Sequence, residues 1–219
     1  MTPLDPDRTL ALAYVPAASR PAVEALWRLD AAFSSVLATG REPLISRIRL
    51  AWWREALEKL DRERAPAEPV LDAVARLVLP DGVTGGQLAE MEAGWAVLLS
   101  PEPLGQGDLS LYASARGGLL FRYAAHLLGE PLPGANVEAG GALWALVDLA
   151  RNSADGADAE AALTAARAIR SERWPRRLRS LGMLAMLAAR DAEPSRVRWE
   201  PLGAPRRMLR MARHRLTGK

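Results

Sequence analysis

Asp30, Arg49, Arg116, Asp148 and Arg151 are charged residues on or beside apolar helical stripes of a 219-residue chain. On a wheel of about 100° per residue, Arg49 lies within the stripe Ile45, Ile48, Trp52, Ala56 and Leu60. Arg116 falls among Tyr112, Leu119, Leu120, Tyr123 and Leu127. Arg151 borders Leu143, Leu146, Val147 and Ala150, with Asp148 farther round. Asp30 sits near the edge of the stripe formed by Leu26, Leu29 and Phe33. Guanidinium groups converging on one space can hold an anion bidentately. Carboxylates facing each other across that space could ligate a divalent cation. The same residues could instead form buried ion pairs, such as Arg49 with Asp30, because a buried charge needs a partner. Long arginine stems could also carry their heads to the surface.

The elements that must position these residues read as helices throughout. Apolar residues recur at helical spacing, and strand-like alternation is absent. The pattern predicts helices near 20–38, 43–61, 67–79, 84–99, 107–128, 137–152, 157–171, 174–191 and 204–216. Pro/Gly-rich breaks such as "LPDGVTGG" at 79–86 and "GEPLPG" at 129–134 separate them. Thr84 is placed to cap a helix, and Pro21 and Pro205 suit first-turn positions. The expected fold is all-α, a single-domain helical bundle over residues 1–200, followed by a basic amphipathic helix or tail over 201–219.

Composition narrows the chemistry. Apolar residues make up 49% of the chain and charged residues 25%, an ordinary balance for a globular protein. There is no cysteine and there are only two histidines, so thiol chemistry, disulfides and Cys- or multi-His metal sites are excluded. No run of about 18 apolar residues suggests a membrane-spanning helix. The N-terminal stretch lacks the basic region of a signal peptide, so the expected location is cytoplasmic, with a peripheral position at the inner membrane face open to it.

The net charge of +3 hides an asymmetry. Residues 167–219 carry 15 Lys/Arg and 4 Asp/Glu, a net +11, whereas residues 1–166 carry 14 and 22, a net −8. In "PRRMLRMARHRLTGK" the expected helix puts Met208, Leu209, Ala212 and Leu216 toward one side and Arg206, Arg207, Arg210 and Arg213 over the other. Such a segment, 203–219, could meet an anionic membrane surface or an acidic protein partner, or pack on the domain with a basic face exposed. Nucleic acid is not an expected partner, because aromatic residues are not interleaved with the basic ones as stacking platforms.

Four stretches in order resemble the squalene/phytoene synthases, all-α enzymes that join prenyl diphosphates head to head. They are "YVPAASRPAVEALWRLDAAF" at 14–33, "EPLISRIRLAWWREALEKL" at 42–60, "LYASARGGLLFRYAAHLLG" at 111–129 and "GALWALVDLARN" at 141–152. Trp53–Arg54, Gly117 and Gly118 are retained. The resemblance covers roughly residues 8–155 and implies a bundle of the isoprenoid (trans-prenyl diphosphate) synthase type. It also implies that Tyr112, Arg116 and Arg151 stand where the family binds its ligand, with Arg49 a further diphosphate-binding candidate. The family holds Mg²⁺ with acid pairs on two facing helices. Here the first motif falls on Ser34, Ser35 and Ala38, and the second on Asn152 and Gly156. No metal site and no cofactor are therefore expected. Asp30 and Asp148 lie one turn earlier and are the remaining catalytic candidates. The pattern is closest to the non-catalytic branch that acts in assembly of respiratory complex I, which implies a lipid-binding or assembly-type factor. The alternative is a divergent Mg²⁺-dependent prenyltransferase, with Mg²⁺ on Asp30 and Asp148 and prenyl diphosphate on the arginines. A third reading is an interaction protein with a filled core.

Overall fold

Proline and acidic or hydroxyl caps start most of the helices. The computed structural model describes residues 3–40, 42–130, 133–170, 173–194 and 198–218. Among these, α1 (Pro6–Ala13), α2 (Arg20–Thr39), α3 (Pro43–Lys59) and α4 (Pro69–Leu77) each carry proline in the first turn. At that position proline's missing N–H costs nothing and its fixed φ suits the helix. The Asp5 carboxylate accepts from the Arg8 N–H at 3.0 Å to cap α1. Thr84 and Gln87 form a reciprocal capping box at α5 (Gly85–Ala89). After α6 (Glu92–Ala96) comes a long helix made of α7 (Gln106–Leu111), a π-helical stretch Tyr112–Gly118 and α8 (Leu119–Leu127). Next come α9 (Ala135–Asn152), α10 (Gly156–Arg167), α11 (Arg179–Asp191) and α12 (Pro205–Thr217). No strand occurs among the described residues.

The helix α9 is the axis of the bundle. It packs against the π-helical stretch, α8, α10 and α11. Its expected stripe is buried, and Trp144, Ala145 and Leu149 on other faces are buried too. A helix apolar all round belongs in a core. Its crossing with the π-helical stretch is set by Gly117 and Gly141, which meet backbone to backbone. A Cβ on either would lie 2.1 Å from the other's carbonyl oxygen. The helix α2 lies on the other side of the site, packed on α4, α8 and α3. The helix α1 bridges α2, α11 and α12.

Three expectations need correction. The helix α1 is absent from the predicted elements, although "DPDR" carries an N-cap and an N1 proline. The predicted helix 84–99 is broken into α5, α6 and a 3₁₀ turn, Val97–Leu99. The expected stripe of α3 holds only at its C-terminal end, where Ala56 and Leu60 are buried. Before that the buried face is a different one, with Leu50 and Leu57 buried and Trp53 packed edge-on against Phe33 at 6.0 Å. Ile45, Ile48 and Trp52 are 45%, 62% and 46% exposed, and Arg49 is exposed with them. The helix has two apolar stripes, and the wheel alone does not say which one a neighbour covers. Arg49 therefore makes no pair with Asp30.

Candidate functional site

Asp30 sits on α2 with no exposure at all, and its partners come from three other helices. The Arg116 guanidinium, from the π-helical stretch, grips it with both ends of its fork. Nε donates to Oδ1 at 3.0 Å and Nη2 to Oδ2 at 3.2 Å. Arg8 of α1 donates from Nη1 to Asp30 Oδ2 at 2.9 Å. The indole N–H of Trp95, on α6, donates to Oδ1 at 3.2 Å. The remaining Arg116 nitrogen, Nη1, lies 2.7 Å from Asp148 Oδ2 on α9 and also donates to the Tyr112 hydroxyl. Arg8 in turn pairs with Asp5.

Aromatic rings enclose this cluster. The Arg116 guanidinium carbon lies 4.1 Å from the Trp95 ring centroid and 4.8 Å from that of Trp144. Arg8 lies 5.2 Å from Trp144. Such stacking suits the flat, weakly hydrated guanidinium. Burial alone would raise the Asp30 carboxyl pKa, but Arg116 and Arg8 outweigh it and hold the group below the ordinary carboxylate range. Burial would likewise lower Arg116, and Asp30, Tyr112 and Asp148 raise it well above its ordinary value. Burial also pushes the Tyr112 phenol up, so it is a neutral hydrogen-bonding group near pH 7.

Above this cluster a cavity of about 370 Å³ opens between α2 and α9. Ser34 and Ala38 lie on its α2 side, and Asp148, Asn152 and Ser153 on its α9 side. Trp95 and Tyr112 also line it. The Asn152 amide donates to the Asp148 carbonyl at 2.8 Å and to its Oδ1 at 3.2 Å. Two expected motif positions lie elsewhere. Ser35 faces a separate depression with Arg28 and Trp53. Gly156 opens α10 at the surface, with no atom within 4 Å of where its Cβ would be. Among the described residues, no group of three or more His, Asp or Glu side chains gathers to hold a metal ion.

Arg151 belongs to a second ionic cluster. Its Nη2 lies 3.0 Å from Asp191 Oδ2, its Nη1 donates to the Glu200 carbonyl at 3.0 Å, and it stacks on Trp199 at 4.6 Å. Arg207 of α12 shares Asp191, at 2.7 Å, and reaches Asp7 of α1, also at 2.7 Å. Asp7 accepts in addition from the Gly203 N–H at 2.9 Å. These contacts clamp α12 onto α1 and α11.

The squalene/phytoene synthase family profile matches residues 2–151, well over half of the chain. The chain belongs to the squalene/phytoene synthase family. No curated protein and no solved structure matches it. The family's all-α isoprenoid synthase fold agrees with the strandless bundle. The match takes in α1 to α9 except Asn152, and therefore Asp30, Arg116 and Asp148. The clamp residues Asp191, Glu200 and Arg207 lie beyond it.

Of the residues singled out from the sequence, Asp30, Tyr112, Arg116 and Asp148 come together, and Ser34, Ala38 and Asn152 line the cavity beside them. Arg49, Ser35, Gly156 and Arg151 stand apart from that cluster. Sequence reasoning missed Arg8, Trp95 and Trp144. The "DPDR" helix start could have flagged Arg8. No local signal marks Trp95 or Trp144, because a tryptophan on an apolar stripe reads as core.

Proposed function

We propose that this protein is a non-catalytic squalene/phytoene synthase-like factor, of the lipid-binding or respiratory-complex assembly type. The observation that carries this reading is the engagement of Arg116. Its guanidinium is committed to Asp30, Asp148 and Tyr112 and is 1% exposed. An anion would have to displace two carboxylates to reach it, in a setting where stranding a buried charge costs several kcal/mol. The donor set does not fit the family's Mg²⁺ either. Hard Mg²⁺ is held through carboxylates and water in near-octahedral geometry. Ser34 and Ala38 supply no carboxylate on the α2 side, Asp148 on the α9 side is already paired with Arg116, and the other acids of the lining, Glu102 and Asp158, do not gather with it into a metal-holding group among the described residues.

The basic helix α12 supports a peripheral location. Leu209 and Leu216 are 72% and 79% exposed, and the exposed Arg206 and Arg213 lie beside them. Basic and apolar groups on one helix suit an anionic lipid surface at the inner membrane face, with an acidic protein surface the other class of partner for 203–219. No helix among the described residues is long and apolar enough to cross a membrane.

The deciding experiment is incubation with farnesyl or geranylgeranyl diphosphate and Mg²⁺, following diphosphate release. The expected result is no release above a no-protein control. Release that is lost in Asp148→Asn would overturn the proposal in favour of a divergent Mg²⁺-dependent prenyltransferase.

A further inference from the structure

A second hollow adjoins the Ser34/Asn152 cavity. It is a groove of about 940 Å³ between α7, the π-helical stretch, α9 and α10, near the upper end of the volumes typical of small-molecule sites. Its lining is dominated by small and apolar side chains, among them Ala113, Ala142, Ala161 and Ala165. Along α10 it runs from Ala157 to beyond the helix end at Ile169, about 18 Å at the helical rise. Leu104 belongs to both walls. Its N–H donates to the Asp158 carboxylate at 3.1 Å, which pins the 100–105 segment to α10 where the two spaces meet.

The two spaces differ in polarity. The groove is mainly apolar, its one charged lining residue being Glu160, which pairs with Arg167, whereas the cavity holds Ser34, Asn152 and Ser153 together with the acids Glu102 and Asp158 and with Asp148, which pairs with Arg116. No lysine or arginine lines either space among the described residues. The nearest guanidinium, Arg116, is already matched by Asp30 and Asp148. Like charges facing one another across a partly desolvated space repel, so this cavity disfavours an anionic head and accepts a neutral or cationic one.

We propose that groove and cavity form one elongated site for a single-chain amphiphile, its chain lying along α10 and its uncharged or cationic head among Ser34, Asn152 and Asp158. The assignment rests on the cavity being a binding site rather than a diphosphate-processing one, and it adds the ligand's shape and charge.

Dodecylamine, dodecanol and dodecyl phosphate share one chain and differ in head charge, and each is titrated calorimetrically below its micelle concentration. The amine and the alcohol are expected to bind, and the phosphate to bind about tenfold or more weakly, the scale of one screened unit charge. Ala165→Phe, or Ala161→Phe should the first variant melt early, is expected to weaken all bound probes at an unchanged melting temperature. Asp158→Asn keeps the oxygen that accepts from Leu104 and removes the charge. It should narrow the gap between amine and phosphate and leave the alcohol unchanged. Tightest binding by dodecyl phosphate would overturn the charge assignment. Binding that ignores a phenylalanine in the groove, or no binding by any probe, would overturn the groove assignment. Neither result bears on turnover, which the diphosphate-release assay decides separately.

Discussion

Arg116 is the residue on which the buried cluster depends. It bridges Asp30 and Asp148, and at 1% exposure it has next to no contact with water that could replace a lost partner. Arg116→Ala would leave Asp30 with Arg8 and Trp95 alone, in full burial. Removing one member of a buried ion pair typically costs about 3–5 kcal/mol. Asp148 keeps 25% side-chain exposure, and its loss leaves Arg116 still gripped by Asp30, so Asp148→Ala should cost on the order of 1–2 kcal/mol. Urea unfolding of the two variants measures the gap, and equal costs would contradict the assigned hierarchy. Asp30 also sets an acid limit. Its folded pKa lies below its unfolded value of about 3.9, so its contribution is complete above that value and is lost as pH falls through the folded one. The melting temperature should therefore hold above about pH 5 with respect to this group and decline below about pH 4. A rise in stability on acidification over that range would refute the sign.

At the scale of elements, the site is held together by the crossing of α9 with the π-helical stretch. Gly117 and Gly141 allow the two backbones to touch, and that approach brings Arg116 to Asp148 across the interface. Gly117→Ala would place a Cβ 2.1 Å from the Gly141 carbonyl oxygen. Backbone cannot yield as a side chain can, so the helices must separate. The expected cost is about 3 kcal/mol or more, at the upper end of overpacking penalties, read as a lowered melting temperature. Gly118→Ala is the control, since its Cβ would meet nothing closer than 3.7 Å. The run 107–128 is legible in the sequence as one helix, but its π-helical segment is not, because a change of pitch leaves no compositional mark. The α3 face shows the same limit. Its two stripes are both apolar, and only the approach of α5, α6 and α2 selects Leu50, Trp53 and Leu57 over Ile48 and Trp52.

For the whole molecule, the charge asymmetry along the chain becomes an architectural feature. The basic C-terminal helix is ordered against the acidic remainder, with Arg207 buried between Asp7 and Asp191 and with Met211 and His214 also buried. The face packed inward is thus not the apolar side that the wheel gives, and Leu209 and Leu216 are left outside. If that outward face meets lipid, the protein should float with vesicles containing anionic phospholipid and not with neutral ones. Flotation should weaken as salt rises. Leu209→Ser with Leu216→Ser should reduce it, and equal flotation of both forms would remove α12 from the membrane reading. Point substitutions are the right instrument, because deleting 203–219 would also take Arg207 away from the buried Asp7 and Asp191. The sequence by itself determined the helical class, most helix positions and the family, because these depend on local periodicity, capping and residue order. Only the tertiary structure decided which charges meet. Asp30 joins Arg116 and Arg8, 86 and 22 residues away, whereas Arg151 turns to Asp191. Ion pairing inside a fold is settled by which helices pack and how closely, and a single helix wheel holds no information about its neighbour.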